Sequence, residues 1–201
     1  MAVLDKLSVP LNTGESRGTL MPKLSYRFRV NFTNMGDGAD LDQVTHNVIS
    51  VQRPNMSHDE VVVDTYNSKI YLAGKHTWEP ITIELRDDID SQTSRKLDSQ
   101  VAKQIDMATQ SSPKAGISYK FQVEIQNLNG GNPDPQILDT WVLSGCYISN
   151  LTYNESNYAS GGEFQTISVT IKFDNAAHTV DGGDADSLSD GVAGPDLSTA
   201  T

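Results

Sequence analysis

The sequence predicts a mainly β protein with one α-helix, a β-sandwich or open barrel in which the helix covers one flank. Three observations carry this class. Apolar and polar residues alternate over several stretches, as in Leu24, Tyr26, Phe28, Val30 and Phe32, or in Tyr119, Phe121, Val123 and Ile125, the period of a strand with one buried face. Helical spacing is clear once, in Leu97, Val101, Ile105 and Ala108. Turn-forming residues separate these stretches, most densely over residues 129–135.

In chain order, residues 1–20 mix small, polar, Gly and Pro residues and are expected to be a flexible arm that gains order by docking. The first long strand starts at Leu24, with Arg27, Arg29 and Asn31 on its polar face. A second strand is expected over residues 44–52, ended by Arg53 and Pro54. Residues 54–76 form an arm: residues 61–63 and 70–72 are short β-prone runs separated by a polar turn, and Gly74 breaks the pattern. Ile81, Ile83 and Leu85 mark a strand that Pro80 confines to a start or an edge. Asp87, Asp88 and Asp90 then suit a helix N-terminus, and the helix spans about 91–109. Burial of each large side chain of its stripe contributes roughly 1.5–3 kcal/mol, so the stripe needs a sheet to lie on.

Beyond the helix, the strand from Tyr119 carries Gln122, Glu124 and Gln126 on its polar face. Residues 137–143 and 147–153 read as one strand with an irregularity at Gly145, and Gly161 with Gly162 fits a hairpin connection. The last strand turns Ile167, Val169, Ile171 and Phe173 one way and Thr166, Ser168, Thr170 and Lys172 the other. Residues 176–201 contain five aspartates, no Lys or Arg and no aromatic residue, the composition of a disordered acidic tail. The folded domain is therefore expected over residues 21–175.

The chain of 201 residues is long enough for one well-buried core. Its formal net charge of -11 disfavours binding of nucleic acid by phosphate neutralisation. Cys146 has no partner for an internal disulfide, which fits synthesis in a reducing compartment. No apolar run has the ~20 residues of a membrane span, and no secretory core occupies the first 20 residues, so no membrane insertion is expected. His46, His58, His76 and His178 show no paired ligand spacing. Asp88 and Asp90 sketch a calcium loop, but Ser99 stands where a bidentate Glu is required, so helix capping is the better reading. Cys146, beside Trp141 and Tyr147, reads as a core residue rather than a nucleophile. With no nucleophile elbow and no phosphate loop, no enzymatic activity and no cofactor or metal are expected.

An ordered series of short pieces runs through the chain: Tyr66-Asn67-Ser68, Lys69-Ile70-Tyr71, Ala73-Gly74-Lys75-His76, Trp78 and Leu85-Arg86-Asp87-Asp88. Upstream stands Pro22-Lys23-Leu24-Ser25-Tyr26-Arg27-Phe28-Arg29-Val30, and downstream Trp141, Leu143, Gly145-Cys146 and the strand over residues 167–174. Together they resemble the tail tube protein of contractile-tailed bacteriophages, over about residues 20–175. The resemblance implies a structural virion protein whose copies join their sheets into a closed ring barrel. Hexameric rings would stack into the inner tail tube through which viral DNA is ejected. The implied partners are further copies of the chain, a contractile sheath outside, and baseplate and terminator proteins at the ends, in a virion assembled in the bacterial cytoplasm.

Two sets of residues carry that expectation. Tyr66, Asn67, Lys69, Tyr71, Lys75 and His76, in a protruding arm, are candidates for contacts between copies, since aromatic anchors dominate such contacts; the alternative is an arm folded back on its own sheet. Gln122, Glu124, Gln126, Thr166, Ser168, Thr170 and Lys172 are candidates to line the lumen, where fixed acidic charge would repel phosphate over about 10 Å at 0.1 M salt. Alternative functions are the tube of a type VI secretion-like or bacteriocin-like contractile injection system, or a carbohydrate-binding or decoration β-sandwich, for which the clustered exposed aromatics of such sites are missing from the sequence.

Overall fold

A computed structural model describes residues 23–37, 41–112, 119–129 and 135–180. The expected arm over residues 1–20, most of the turn over 129–135 and the tail beyond 180 lie outside these residues. The described chain runs β1 (Phe28–Thr33), α1 (Asp42–His46), β2 (Val48–Val51), β3 (Met56–Asp64), β4 (Lys69–Trp78), β5 (Ile81–Arg86), α2 (Gln92–Gln104), β6 (Phe121–Leu128), β7 (Ile137–Tyr153), β8 (Thr166–Lys172) and β9 (Asn175–Val180). The protein is mainly β, as expected, with a second, five-residue helix in addition to the predicted one.

Seven strands form one antiparallel sheet in the order β1-β6-β7-β8-β5-β2, with β9 also paired to β7, while β3 and β4 form a separate ribbon. The 17-residue β7 serves both halves of the large sheet. Its first part lies between β6 and β9, and its second part, from Tyr147, pairs with β8. At Gly145 (φ 71) the strand turns from one layer into the other. The register against β6 shifts there, with Leu143 opposite Val123 and Cys146 opposite Phe121. The two layers close on one core: Val30, Phe32, Val123, Ile125 and Leu143 from the first meet Ile83, Leu85, Ile148, Val169 and Ile171 from the second. Cys146 lies in this core, its Sγ–H donating to the Leu143 carbonyl, and burial pushes its thiol pKa up to about 12.

Helix α2 closes a flank through buried Thr93, Leu97 and Gln100. The Gln100 amide accepts from the Gly36 N–H and donates to the Tyr119 carbonyl. Gln104 acts as a short extra strand: its Nε2 donates to the Ile148 carbonyl (2.8 Å) and its Oε1 accepts from the Ile148 N–H (3.0 Å). At the other end, the Asp88 carboxylate accepts from the N–H groups of Gln92 and Thr93, the capping role expected from the sequence. Burial pushes the Asp88 pKa up, but these backbone hydrogen bonds outweigh it and hold it below the usual carboxylate range.

Four boundaries differ from expectation. Leu24 and Tyr26 do not start the first strand, because the Arg27 N–H donates to the Leu24 carbonyl and closes a turn that leaves both exposed. Residues 42–46, the last part of which overlaps the expected second strand, are helical and bury Val44. Helix α2 stops at Gln104 rather than near 109, since Ile105 is extended and the Asp106 carboxylate takes up the following N–H groups of Ala108 and Thr109. Residues 176–180, expected in the disordered tail, belong to β9 and pair with β7. The Gly161 and Gly162 segment joins consecutive antiparallel strands, the hairpin connection expected, over a long span, since β7 ends at Tyr153 and β8 begins at Thr166.

Buried Asp139 fastens both ends of the described domain. Its carboxylate accepts from Lys23 and Asn127 and lies 3.6 Å from His178 Nε2, and the His178 ring stacks on Trp141 at 4.2 Å. Burial raises the pKa of Asp139, but the hydrogen bonds from Lys23 and Asn127 and the Lys23 charge hold it below the usual carboxylate range.

Two stability predictions follow from the bend and the clasp. A Cβ at position 145 would overlap the Asp174 carboxylate at a backbone angle that L side chains rarely adopt, so Gly145→Ala is expected to cost about 1–3 kcal/mol in chemical denaturation. Because Asp139 has a depressed folded pKa, its contribution is full above the unfolded value of about 3.9 and is lost as pH falls through the folded value. Asp139→Asn should therefore lower the thermal midpoint at pH 7, with the gap to the native chain closing as pH is taken below about 4.

Candidate assembly surfaces

The six residues expected to contact other copies fall on a single element. Antiparallel β3 and β4 pair from Met56 with Trp78 to Asp64 with Lys69, and at the tip the Thr65 N–H and hydroxyl both donate to the Ser68 carbonyl. Every residue of β3 is exposed, as is every residue of β4 except half-buried Gly74 and Trp78. Tyr66 is 98% exposed at the tip and Tyr71 64% exposed along the ribbon. Val61 faces Leu72 and Val63 faces Ile70 across the pair, and all four side chains are in solvent. A two-stranded ribbon is marginally stable on its own in water, and exposed apolar area concentrated on one marks a contact surface. Asp64 and Lys69 lie 3.7 Å apart but both exposed, an arrangement that contributes little.

The ribbon is aimed by its root. Trp78 packs on core residue Phe173 at 5.7 Å, His76 meets Trp78 edge-on at 6.1 Å, and His58 meets His76 at 6.2 Å. The sequence shows no paired spacing for these histidines, yet the strand register puts His58 opposite His76; their separation along the chain becomes informative only once the turn is located. Among the described residues no group of three or more His, Cys, Asp or Glu is placed to hold a metal. Between the histidines and Ala73 the register slips, and a Cβ on Gly74 would lie 2.8 Å from the Asp59 carbonyl, so this glycine permits the close approach of the two backbones.

The seven lumen candidates do not form one surface. Gln122, Glu124 and Gln126 face outward from the β6 layer, opposite Thr33, Asn31 and Arg29 of β1. There Gln126 accepts two hydrogen bonds from Arg29 and is only 8% exposed, and on the same face Thr140 and Val142 are also buried. Thr166, Ser168, Thr170 and Lys172 face outward from the other layer, where Ser168 sits between Glu84 and Thr152 and Thr170 between Thr82 and Asn150. That second face is half-exposed to exposed throughout, and apart from Glu84, Arg86 and Lys172 it is built from short hydroxyl and amide side chains.

This folded double-layer sheet with a flanking helix and a projecting ribbon defines a β-rich fold that solved chains of tube-bearing assemblies share. The chain matches one in the cap of the anti-feeding prophage, described as the tube-terminating cap, with a TM-score of 0.61 at 15% identity over 84% of this chain and 98% of that one. It also matches a chain of the sheath-tube complex of the PVC extracellular contractile injection system (TM-score 0.56, 17% identity, 90% and 99% covered). The SPP1 tail tube matches with a TM-score of 0.51 at 11% identity, with 80% of each chain covered. No family model matches the sequence, and no curated protein matches it either. The likeness is one of fold.

Proposed function

We propose that this chain is a structural, non-enzymatic tube subunit whose copies close into hexameric rings and stack into the inner tube of a phage tail, the conduit for DNA during ejection. The observation that carries the reading is the ribbon from Met56 to Trp78, which presents apolar residues on both of its faces with no second layer among the described residues of its own chain. A neighbouring copy supplies that layer, with Tyr66 and Tyr71 as anchors and Asn67, Lys69, Lys75 and His76 as the polar rim. The shared fold with tube assemblies supports the same reading. The sheath lies outside, and baseplate and terminator proteins close the ends. Assembly takes place in the host cytoplasm and the product resides in the virion.

Of the two outward faces, the one carrying Thr166, Ser168, Thr170 and Lys172 is the better lumen lining, because it is open to water along its length. The face carrying Gln122, Glu124 and Gln126 is already largely covered. A second reading, the tube of a non-viral contractile injection system, draws on the likeness to the anti-feeding prophage and PVC chains. Electron microscopy of native particles separates the two by the presence or absence of a capsid.

Purified protein is expected to give rings or tubes by negative-stain electron microscopy, and a chain that stays monomeric at every concentration, even with a baseplate nucleator, would sink the proposal. The double variant Tyr66→Ala with Tyr71→Ala should keep the native thermal midpoint while losing assembly, because both side chains stand clear of the core. Single cysteines can be placed at Ser168 and Gln122, with Cys146 buried and unreactive. In assembled tubes, Ser168→Cys should be shielded from a bulky maleimide that reaches it in the free subunit; equal reactivity in both states would move the lumen to another face.

A further inference from the structure

Between β1 and β2, where the two layers part, a groove of about 700 Å³ opens onto the core. Its walls include Tyr26 and Phe28 on one side and Val48 on the other, and three arginines, Arg29, Arg53 and Arg86, stand around it. All three are exposed. None is ion-paired to a carboxylate among the described residues, and no Asp or Glu lines the groove. Arg29 bonds the Gln126 amide and Arg86 lies over the Phe164 ring, so these two are held in place without being neutralised. In a chain of net charge -11 with six arginines, three that pair with no carboxylate around one groove of mixed polar and apolar lining describe a receptor for an acidic segment.

We propose that the groove receives the chain's own C-terminal segment, residues 181–201. That segment carries Asp181, Asp184, Asp186, Asp190 and Asp196, no Lys or Arg, and the apolar residues Leu188, Val192 and Leu197, a pattern complementary to three arginines beside the apolar side chains Phe28, Val30, Val48 and Ile125. The reach is adequate. Val180 is level with Asp139, Asp139 with Asn127, and Asn127 with Phe28 on the groove wall. The tail therefore departs three strand spacings, or about 14 Å, from the groove, and 21 residues extend up to ~70 Å. An occupied groove covers the free margins of β1 and β2, so the tail competes with a sister copy for those strands. The inference is independent of tube formation and holds for the free subunit.

Disulfide trapping in the full chain tests it, with Ser25→Cys at the groove mouth and Ser187→Cys in the tail, against a control pair of Ser68→Cys at the ribbon tip with Ser187→Cys. In a thiol redox buffer, the Ser25 pair should close within one chain at least ~fivefold more often than the control at low salt, and that preference should fade at 1 M salt, where charges are screened beyond about 3 Å. Arg53→Glu with Arg86→Glu should abolish it. Equal closure of both pairs, persistence in the double charge reversal, or products linked between chains would each overturn the proposal. So would displacement of the tail by a short DNA duplex but not by polyglutamate of equal charge, which would assign the groove to phosphate. Failure here with rings still visible by microscopy removes the tail assignment and leaves the tube reading standing.

Discussion

One strand can belong to two layers only if it turns where a side chain is missing, and the fold depends on that turn at Gly145. Drawn straight, the 17 residues of β7 would span about 55 Å, too long for one layer of a domain this size. The bend also resets the pleat. Trp141 and Leu143 point to the core before it and Cys146 and Ile148 after it, a change from odd to even positions that an unbroken period of two would forbid. Opposite the bend, the chain from β8 into β9 breaks at the same level: the Asp174 N–H donates to the Ser144 carbonyl, and the Asp174 carboxylate takes the Lys120 ammonium. The space a Cβ would fill at 145 is thus occupied by the ion pair's acidic partner.

With the core closed by that corner, the ribbon of β3 and β4 is left outside it. Its root is secured by Trp78 against Phe173, but from Val61 to Leu72 nothing in the described chain packs on it. The domain and the ribbon therefore differ in character: one supplies folding stability through a dry interior, the other carries exposed apolar area, which the proposed association would bury. Their junction, with His58 across from His76 and the slip at Gly74, sets the direction in which that area is presented.

How far this was legible in the sequence depends on whether each signal is local. The alternating strands β5, β6 and β8, the irregularity at Gly145 and the capping by Asp88 rest on neighbouring residues and could be read directly. Helix α1 was hidden because Val44 and Val48 satisfy a spacing of two and a spacing of four equally well. Strand β9 has the polar sequence Asn-Ala-Ala-His-Thr-Val and owes its conformation to β7, to Asp139 and to Trp141, a tertiary override of weak propensity. The lumen set mixed two rows because Gln122, Glu124 and Gln126 look the same in sequence as Thr166, Ser168 and Thr170. Only the strand order places them on opposite outsides of one sandwich.

That division changes the physical account of passage through the proposed tube. The sequence suggested acidic repulsion, but the open face carries a single carboxylate, Glu84, against two cations, Arg86 and Lys172, so its fixed charge is not acidic. Between the two cations the rows hold Ser50, Glu84, Ser168 and Thr152, then Thr82, Thr170 and Asn150, side chains too short to follow a moving phosphate. Ser50 already donates to Glu84 and Ser149 to the Thr170 carbonyl, which ties part of this polar capacity into the sheet itself. A duplex gains affinity for a protein mainly from cations that release its counterions. Where those cations are only two, set at the two ends of the strand with a carboxylate between them, the wall of the proposed tube holds water rather than phosphate. Slippage then comes from a lack of anchors and needs no repulsive field.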